Sequence, residues 1–265
     1  MLKLGPESEA YTLAARASTP ASAEFVIAEW GFRQPNVERR RKRWGLAALV
    51  TFSLVLGATT FLLVRFGGNN LHAVREGEFY RSAQMDSGDL ARAIDAHKIR
   101  TVLRLVGADD GNRESYEAEF STCKRLGVNH VVAKMASSRL PWRSELSTLF
   151  EELDRIANDA SLRPVLVHCS QGSDRTGLVS AIWLHDYRDV PLAEARGQLA
   201  FVPYMHVSFG EASAMGRFLD MYFQFTQANP STRLKIRDWV RLHYFLEKPG
   251  RAPAPWYDGV AYSPK

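Results

Sequence analysis

Residues 164–177 read PVLVHCSQGSDRTG, and this stretch constrains the fold more than any other. Pro164 to His168 is a short apolar run with no polar alternation, which predicts a strand buried on both faces. Such strands lie inside sheets that carry helices on both sides. The chain before it alternates the two periods. Strands are expected at 78–81, 100–106 and 128–135, and helices at 86–97, 112–126 and 142–157. After Thr176 the pattern turns helical, with helices expected at 177–188, 191–199, 211–225 and 231–247. The fold class is therefore α/β: a central sheet, largely parallel in its core, flanked by helices.

The loop after the strand has a definite chemistry. Gly172 permits a bend that a side chain would obstruct. A tight loop running into a helix start turns successive backbone N–H groups of Ser170, Gln171, Gly172, Ser173 and Asp174 into one concavity, which favours a phosphate. Arg175 adds a planar fork matched to two phosphate oxygens. The same field stabilises thiolate over thiol at Cys169, so a bound phosphate faces a nucleophile placed for in-line attack. Thr176 is a hydroxyl donor for that sulfur. His168 is expected beneath the loop, orienting backbone.

The arrangement Cys-x5-Arg-Thr, preceded by His and an apolar strand and followed by a helix, resembles the signature of the cysteine-dependent protein tyrosine and dual-specificity phosphatases. The resemblance spans about residues 75–225. Residues 79–84 (FYRSAQ) look like the opening of the bacterial and fungal dual-specificity-like subgroup, and residues 100–105 (RTVLRL) are similar to its second strand. The resemblance implies that fold, a phosphocysteine intermediate hydrolysed by water, and neither metal nor other cofactor. Cys169, Arg175 and Asp174 would be catalytic, residues Ser170 to Arg175 would bind phosphate, and His168 and Thr176 would support them.

One departure stands out. The family's general acid is an Asp on a loop upstream of the nucleophile, yet no carboxylate lies between Val131 and Arg143, where Ser137 and Ser138 stand instead. Two replacements are open. Asp174 lies in the loop itself, a position given acid duty in the phosphoinositide-directed branch of the superfamily; its alternative is a salt bridge that braces the loop. Asp109 and Asp110 follow the second strand, where Asp109-Asp110-Gly111 also reads as a solvated turn.

Ahead of the domain, Trp44 to Val64 is a run of 21 residues without a charge, about 31 Å long as a helix. Arg39 to Arg43 is wholly basic and precedes it directly. The expected organisation is a cytoplasmic tail (1–43), a single transmembrane helix (44–66), a linker (67–77), the phosphatase domain (78–248) and a C-terminal tail (249–265). The positive-inside rule places the N-terminus in the cytoplasm and the catalytic domain on the far side of the inner (cytoplasmic) membrane. The net charge of +5 is concentrated here: residues 1–66 carry nine Lys/Arg against five Asp/Glu, and residues 67–265 carry 25 against 24. No nucleic-acid partner is implied. Two cysteines exclude a disulfide scaffold and a structural zinc site.

Three classes of function follow. The first is a tyrosine or dual-specificity phosphatase acting on phosphoproteins. The second is a phosphatase for a membrane-lipid or envelope phosphate, suggested by the anchor and the Asp-Arg-Thr loop ending. The third is a phosphate-binding pseudophosphatase, suggested by the missing acid and opposed by the intact Cys169 and Arg175. Among single residues, Arg81 reads either as a brace beneath the loop or as a surface pair. Cys123 and His206 read as packing. The helix over 234–246 reads as core-facing with a basic outer face.

Overall fold

The computed structural model describes residues 37–66, 69–108 and 113–250. Five strands form one sheet in the order β1–β2–β5–β3–β4: β1 (His72–Arg75), β2 (Phe79–Ala83), β3 (Thr101–Arg104), β4 (Asn129–Val132) and β5 (Val165–Cys169). Only β1 runs antiparallel; β5 lies between β2 and β3 and is parallel to both. The crossovers are α2 (Ser87–His97), α3 (Arg113–Leu126) and α4 (Arg143–Asn158). After β5 come α5 (Asp174–Arg188), the short α6 (Leu192–Ala195) and α7 (Phe201–Tyr204), then α8 (Ala214–Ala228) and α9 (Ile236–His243).

The unbroken apolar run of β5 is explained by its two neighbouring cores. Val165 and Val167 pack with Phe79 and Leu103 against α4, α5, α8 and α9, while Leu166 packs with Tyr80 and Val102 against α2 and α3. Each aliphatic side chain so withdrawn from water contributes roughly 1.5–3 kcal/mol. Cys123 is in the second core, and burial pushes its thiol up to about 12, as Glu119 nearby also does. Apart from β1 and α7, strand and helix periods alone place these elements within a few residues of where they lie.

Two boundaries differ from expectation. Residues 67–77 are not a free linker, because His72–Arg75 pairs with β2 and makes the sheet edge. Helix α1 (Val37–Phe66) begins before Trp44 and takes in the basic run, since Arg and Lys are good helix formers. Among the described residues no helix is long and apolar enough to cross a membrane, so the span expected at 44–66 is unsupported. Gly45, Thr51, Ser53 and Gly57 interrupt its apolar residues, and its side chains from residue 60 onward lie outside those described. The expected tails fall mostly outside as well, at 1–36 and 251–265. At the other end, α9 buries Trp239 and Val240 as expected, but Leu242 is exposed and Arg237 faces inward.

Candidate active site

The parallel strands deliver β2, β5 and β3 to a common C-terminal edge, where Ala83 sits opposite Cys169 and Arg104 opposite His168. The loop from Cys169 to Ser173 rests on that edge. Gly172 has φ +73°, and a Cβ there would lie 2.5 Å from the Ser82 carbonyl carbon, so only glycine fits. Gly177, one turn into α5, is equally tight: its Cβ would meet Gln198 O at 2.7 Å.

Every loop carbonyl from Ser170 to Ser173 is held by a donor from outside the loop. Gln84 N donates to Ser170 O (3.2 Å), Asn70 Nδ2 to Gln171 O (3.1 Å), and Arg81 Nη2 to Gly172 O (2.7 Å) and Ser173 O (3.3 Å). Among the described residues, the N–H groups of residues 170–173 donate to no protein acceptor. Carbonyls tied outward with free amides between them make a nest for an oxyanion, and the start of α5 adds its positive end.

Arg81 is the brace, not a surface pair. It is fully buried, its other nitrogen Nη1 donates to Gln198 O (2.6 Å) and Gln198 Oε1 (2.9 Å), and its guanidinium lies 3.8 Å from the centre of the Tyr204 ring. Burial lowers its pKa to about 10, against the pull of Tyr204 and Cys169. It is still cationic at neutral pH.

Arg175, by contrast, is parked. Its Nη1 donates over long distances to Leu105 O (3.4 Å) and Met135 O (3.3 Å), and Nη2 donates to Ser170 Oγ (3.2 Å). Bonds of this length to neutral oxygens are weak beside the doubly charge-assisted pair that a phosphate offers the same fork. Cys169 lies at the floor, 3% exposed. Thr176 Oγ1 is buried without a hydrogen-bond partner among the described residues.

His168 is not engaged with backbone as expected. Its Nε2 lies 3.0 Å from Glu119 Oε1, which His130 Nε2 also approaches at 2.7 Å, and Arg104 Nη1 donates to Glu119 Oε2 at 2.8 Å. Burial would raise the Glu119 pKa, but the bonds from His130 and His168 and the charge of Arg104 hold it well below the usual carboxylate range. Glu119 escaped the sequence reading because its neighbours in α3 give it the look of a surface helix position.

The acid candidates also sort themselves. Asp174 is the first residue of α5, and its Oδ1 lies 2.7 Å from Nδ1 of His206, a buried residue that is therefore more than packing. Asp109 and Asp110 lie outside the described residues. In the segment where the family's acid is expected, the nearest carboxylate is Glu145, which is occupied by Arg139 (2.7 Å) and by the Trp142 N–H (2.8 Å) at the start of α4. Gln198, Tyr204 and Asn70 are further loop-holding residues that the sequence did not single out. Among the described residues no His, Cys, Asp and Glu cluster forms a metal-binding group.

Residues 66–188 match the model of a tyrosine phosphatase family. The matched segment resembles that family, and the domain is a cysteine-dependent phosphatase. Comparison with curated protein sequences gave no match. Among solved structures, the phosphatase is similar to TpbA of P. aeruginosa at 20% identity, over 62% of this chain and 93% of that one, with a TM-score of 0.45. It is similar to the catalytic core of the S. cerevisiae PP-IP phosphatase SIW14 at 18% identity (66% and 85% covered, TM-score 0.39). PTPMT1 bound to PI(5)P is similar at 14% identity (59% and 98% covered, TM-score 0.43).

Proposed function

We propose that the phosphatase hydrolyses phosphomonoesters through Cys169 and that its substrates are phosphotyrosine or dual-specificity phosphoproteins. The observation that carries the chemistry is the loop whose four carbonyls are all tied outward, with the thiol at its floor. In the first step the Cys169 sulfur attacks phosphorus. The P–S bond forms, the P–O bond to the leaving group breaks, and the departing oxygen takes a proton from Asp174. In the second step water attacks the phosphocysteine and gives its proton to Asp174. The P–S bond breaks, and phosphate and thiolate are released. Arg175 swings from Leu105 O and Met135 O onto the phosphoryl oxygens, where it stabilises the charge that builds in transfer.

A second reading, a membrane-lipid or envelope phosphate, is favoured by one observation. Phe201, Val202, Met205 and Phe209 are exposed on the segment that meets Arg81 through Tyr204 and Asp174 through His206. We also propose that the chain is anchored in the inner membrane with the domain outside the cytoplasm. Supporting this are the basic Arg39–Arg43 run, the uncharged run behind it, and the exposed Trp44, Leu46, Phe52 and Leu54 of α1.

Cys169→Ser tests the chemistry. Turnover should fall by ~10³-fold or more, since the hydroxyl has no base to activate it, while vanadate binding persists; turnover within tenfold of wild type refutes the mechanism. Assaying wild type on phosphopeptides and on vesicle-embedded phospholipid monoesters decides between the substrates. For the location, a reporter that is active only outside the cytoplasm, fused after Lys265, should be active; labelling of that end from the cytoplasm rejects the orientation.

A further inference from the structure

We propose that His206 is a positioning residue for proton transfer: its Nδ1–H holds Asp174 Oδ1, which leaves Oδ2 as the oxygen presented to the leaving group. The inference rests on the reading of Asp174 as the acid and goes beyond it in naming what aims that acid.

Three observations lead here. First, the bond is short and sheltered. The Nδ1–Oδ1 distance is 2.7 Å, the His206 side chain is 2% exposed, and that of Asp174 is 20% exposed. Oδ2 has no protein partner among the described residues. A carboxylate at the first position of a helix, next to Arg175, would otherwise turn freely or be drawn onto that guanidinium. Fixing one oxygen selects one orientation.

Second, His206 is itself fixed. Met205 sits at φ +60° and its N–H donates to Phe201 O (2.6 Å), and the His206 N–H donates to Ala200 O (3.3 Å). Two residues away, the Tyr204 carbonyl accepts from the same Asn70 Nδ2 that holds Gln171 O, and its ring lies on Arg81. The aiming residue and the phosphate loop are thus referenced to the same two side chains, so they keep register with each other.

Third, His206 lines a cavity of about 130 Å³ with Arg196, Ser208, Ser213, Arg217 and Asp220. Arg196 is paired with Asp220 at 2.5 Å. The charged groups facing the imidazole are therefore Asp174 on one side and, across the cavity, this pair and Arg217. The nearest carboxylate with a hydrogen bond to it is Asp174, which fixes Nδ1 as the donor position.

The test uses the full chain and two substrates, phenyl phosphate with a poor leaving group and an activated aryl phosphate with a good one. A general acid is worth about 10²-fold or more on the former and little on the latter. His206→Ala should therefore lower kcat on phenyl phosphate by roughly tenfold or more while changing the activated substrate by less than about threefold. His206→Asn places an amide N–H near the site of Nδ1 and should restore kcat on phenyl phosphate to within about threefold. Asp174→Asn/His206→Ala should be no worse than Asp174→Asn alone, because the two act as one unit. Equal losses on both substrates, no rescue by Asn, or additive losses in the double variant each overturn the proposal. Should Asp174→Asn show no dependence on leaving group, the acid reading itself fails, and that result is separate from any obtained with His206.

Discussion

Arg81 and Arg104 are both fully buried, one on β2 and the other on β3 on either side of β5, yet they are solvated by opposite means. Arg104 has a carboxylate, Glu119, which two histidines also share. Arg81 has no carboxylate partner among the described residues. Its guanidinium is held by carbonyl oxygens of Gly172, Ser173 and Gln198 and by the face of Tyr204. One cation is neutralised where it stands. The other keeps its charge directed at the loop, where a dianionic phosphoryl group would complete the pair. The same residue type therefore serves structure on one side of β5 and function on the other, and the partner chosen decides which.

Removing the carboxylate should hurt most. Glu119→Gln leaves Arg104 buried with no counter-charge, at a cost of about 3–5 kcal/mol; the melting midpoint of the phosphatase should fall by roughly 10 °C. A melting curve within 2 °C of wild type would show that Arg104 is not neutralised by Glu119 at all. Arg81→Met should do less to the fold and more to the site. Orphaned carbonyls at Gly172 and Gln198 cost about 1–3 kcal/mol, while vanadate affinity and kcat/KM should each drop about tenfold or more, the worth of a buried charge-assisted contact. Unchanged vanadate affinity would place the charge of Arg81 outside the binding energy. The smallest effect concerns pH. The folded-state pKa of Glu119 is depressed, so its stabilisation is present above the unfolded value of about 4.3 and is lost as pH falls towards its folded value. Wild type and Glu119→Gln should therefore converge in stability as pH is lowered below about 4. A gap that stays constant down to pH 2 would contradict the depressed value.

The loop was legible in the sequence because its parts are contiguous. Strand, cysteine, glycine, arginine and helix start follow one another, so period and turn chemistry suffice to place them. The parallel sheet was legible for the same reason, since β5 has no polar face. What holds the loop was not legible. Gln198 is 117 positions from Arg81, Glu119 is 49 from His168, and His206 is 32 from Asp174. Nothing local separates a histidine that aims a carboxylate from one that fills a core. The edge strand β1 has no signal of its own in the sequence, because HAVR is too short to show a period. The expected membrane span rested on the absence of charge, a criterion that does not weigh the glycines and hydroxyls within the run.

The last helix has a bearing on how the chain is made. Asp186 accepts from the N–H groups of Ile236 (3.0 Å) and Arg237 (2.8 Å), and Asp154 accepts from Arg237 Nε (2.9 Å) and from the Tyr187 hydroxyl (2.7 Å). Burial pushes the Asp186 carboxyl up to about 6, against the opposing pull of His185 and the α9 amides. Both acids belong to helices synthesised well before α9, and both are destined for the interior. Until residues 236–240 have left the ribosome, the nascent domain lacks the two α9 amides that Asp186 accepts from and the Arg237 guanidinium that donates to Asp154, and Trp239 and Val240 are missing from the core. The matched segment ends at residue 188, so Cys169, Asp174 and Arg175 are all made well before α9, which helps to close the interior behind them. Completion of the enzyme is thereby tied to synthesis through α9, and a message cut short before it would yield every residue of the phosphate loop but no closed interior behind it.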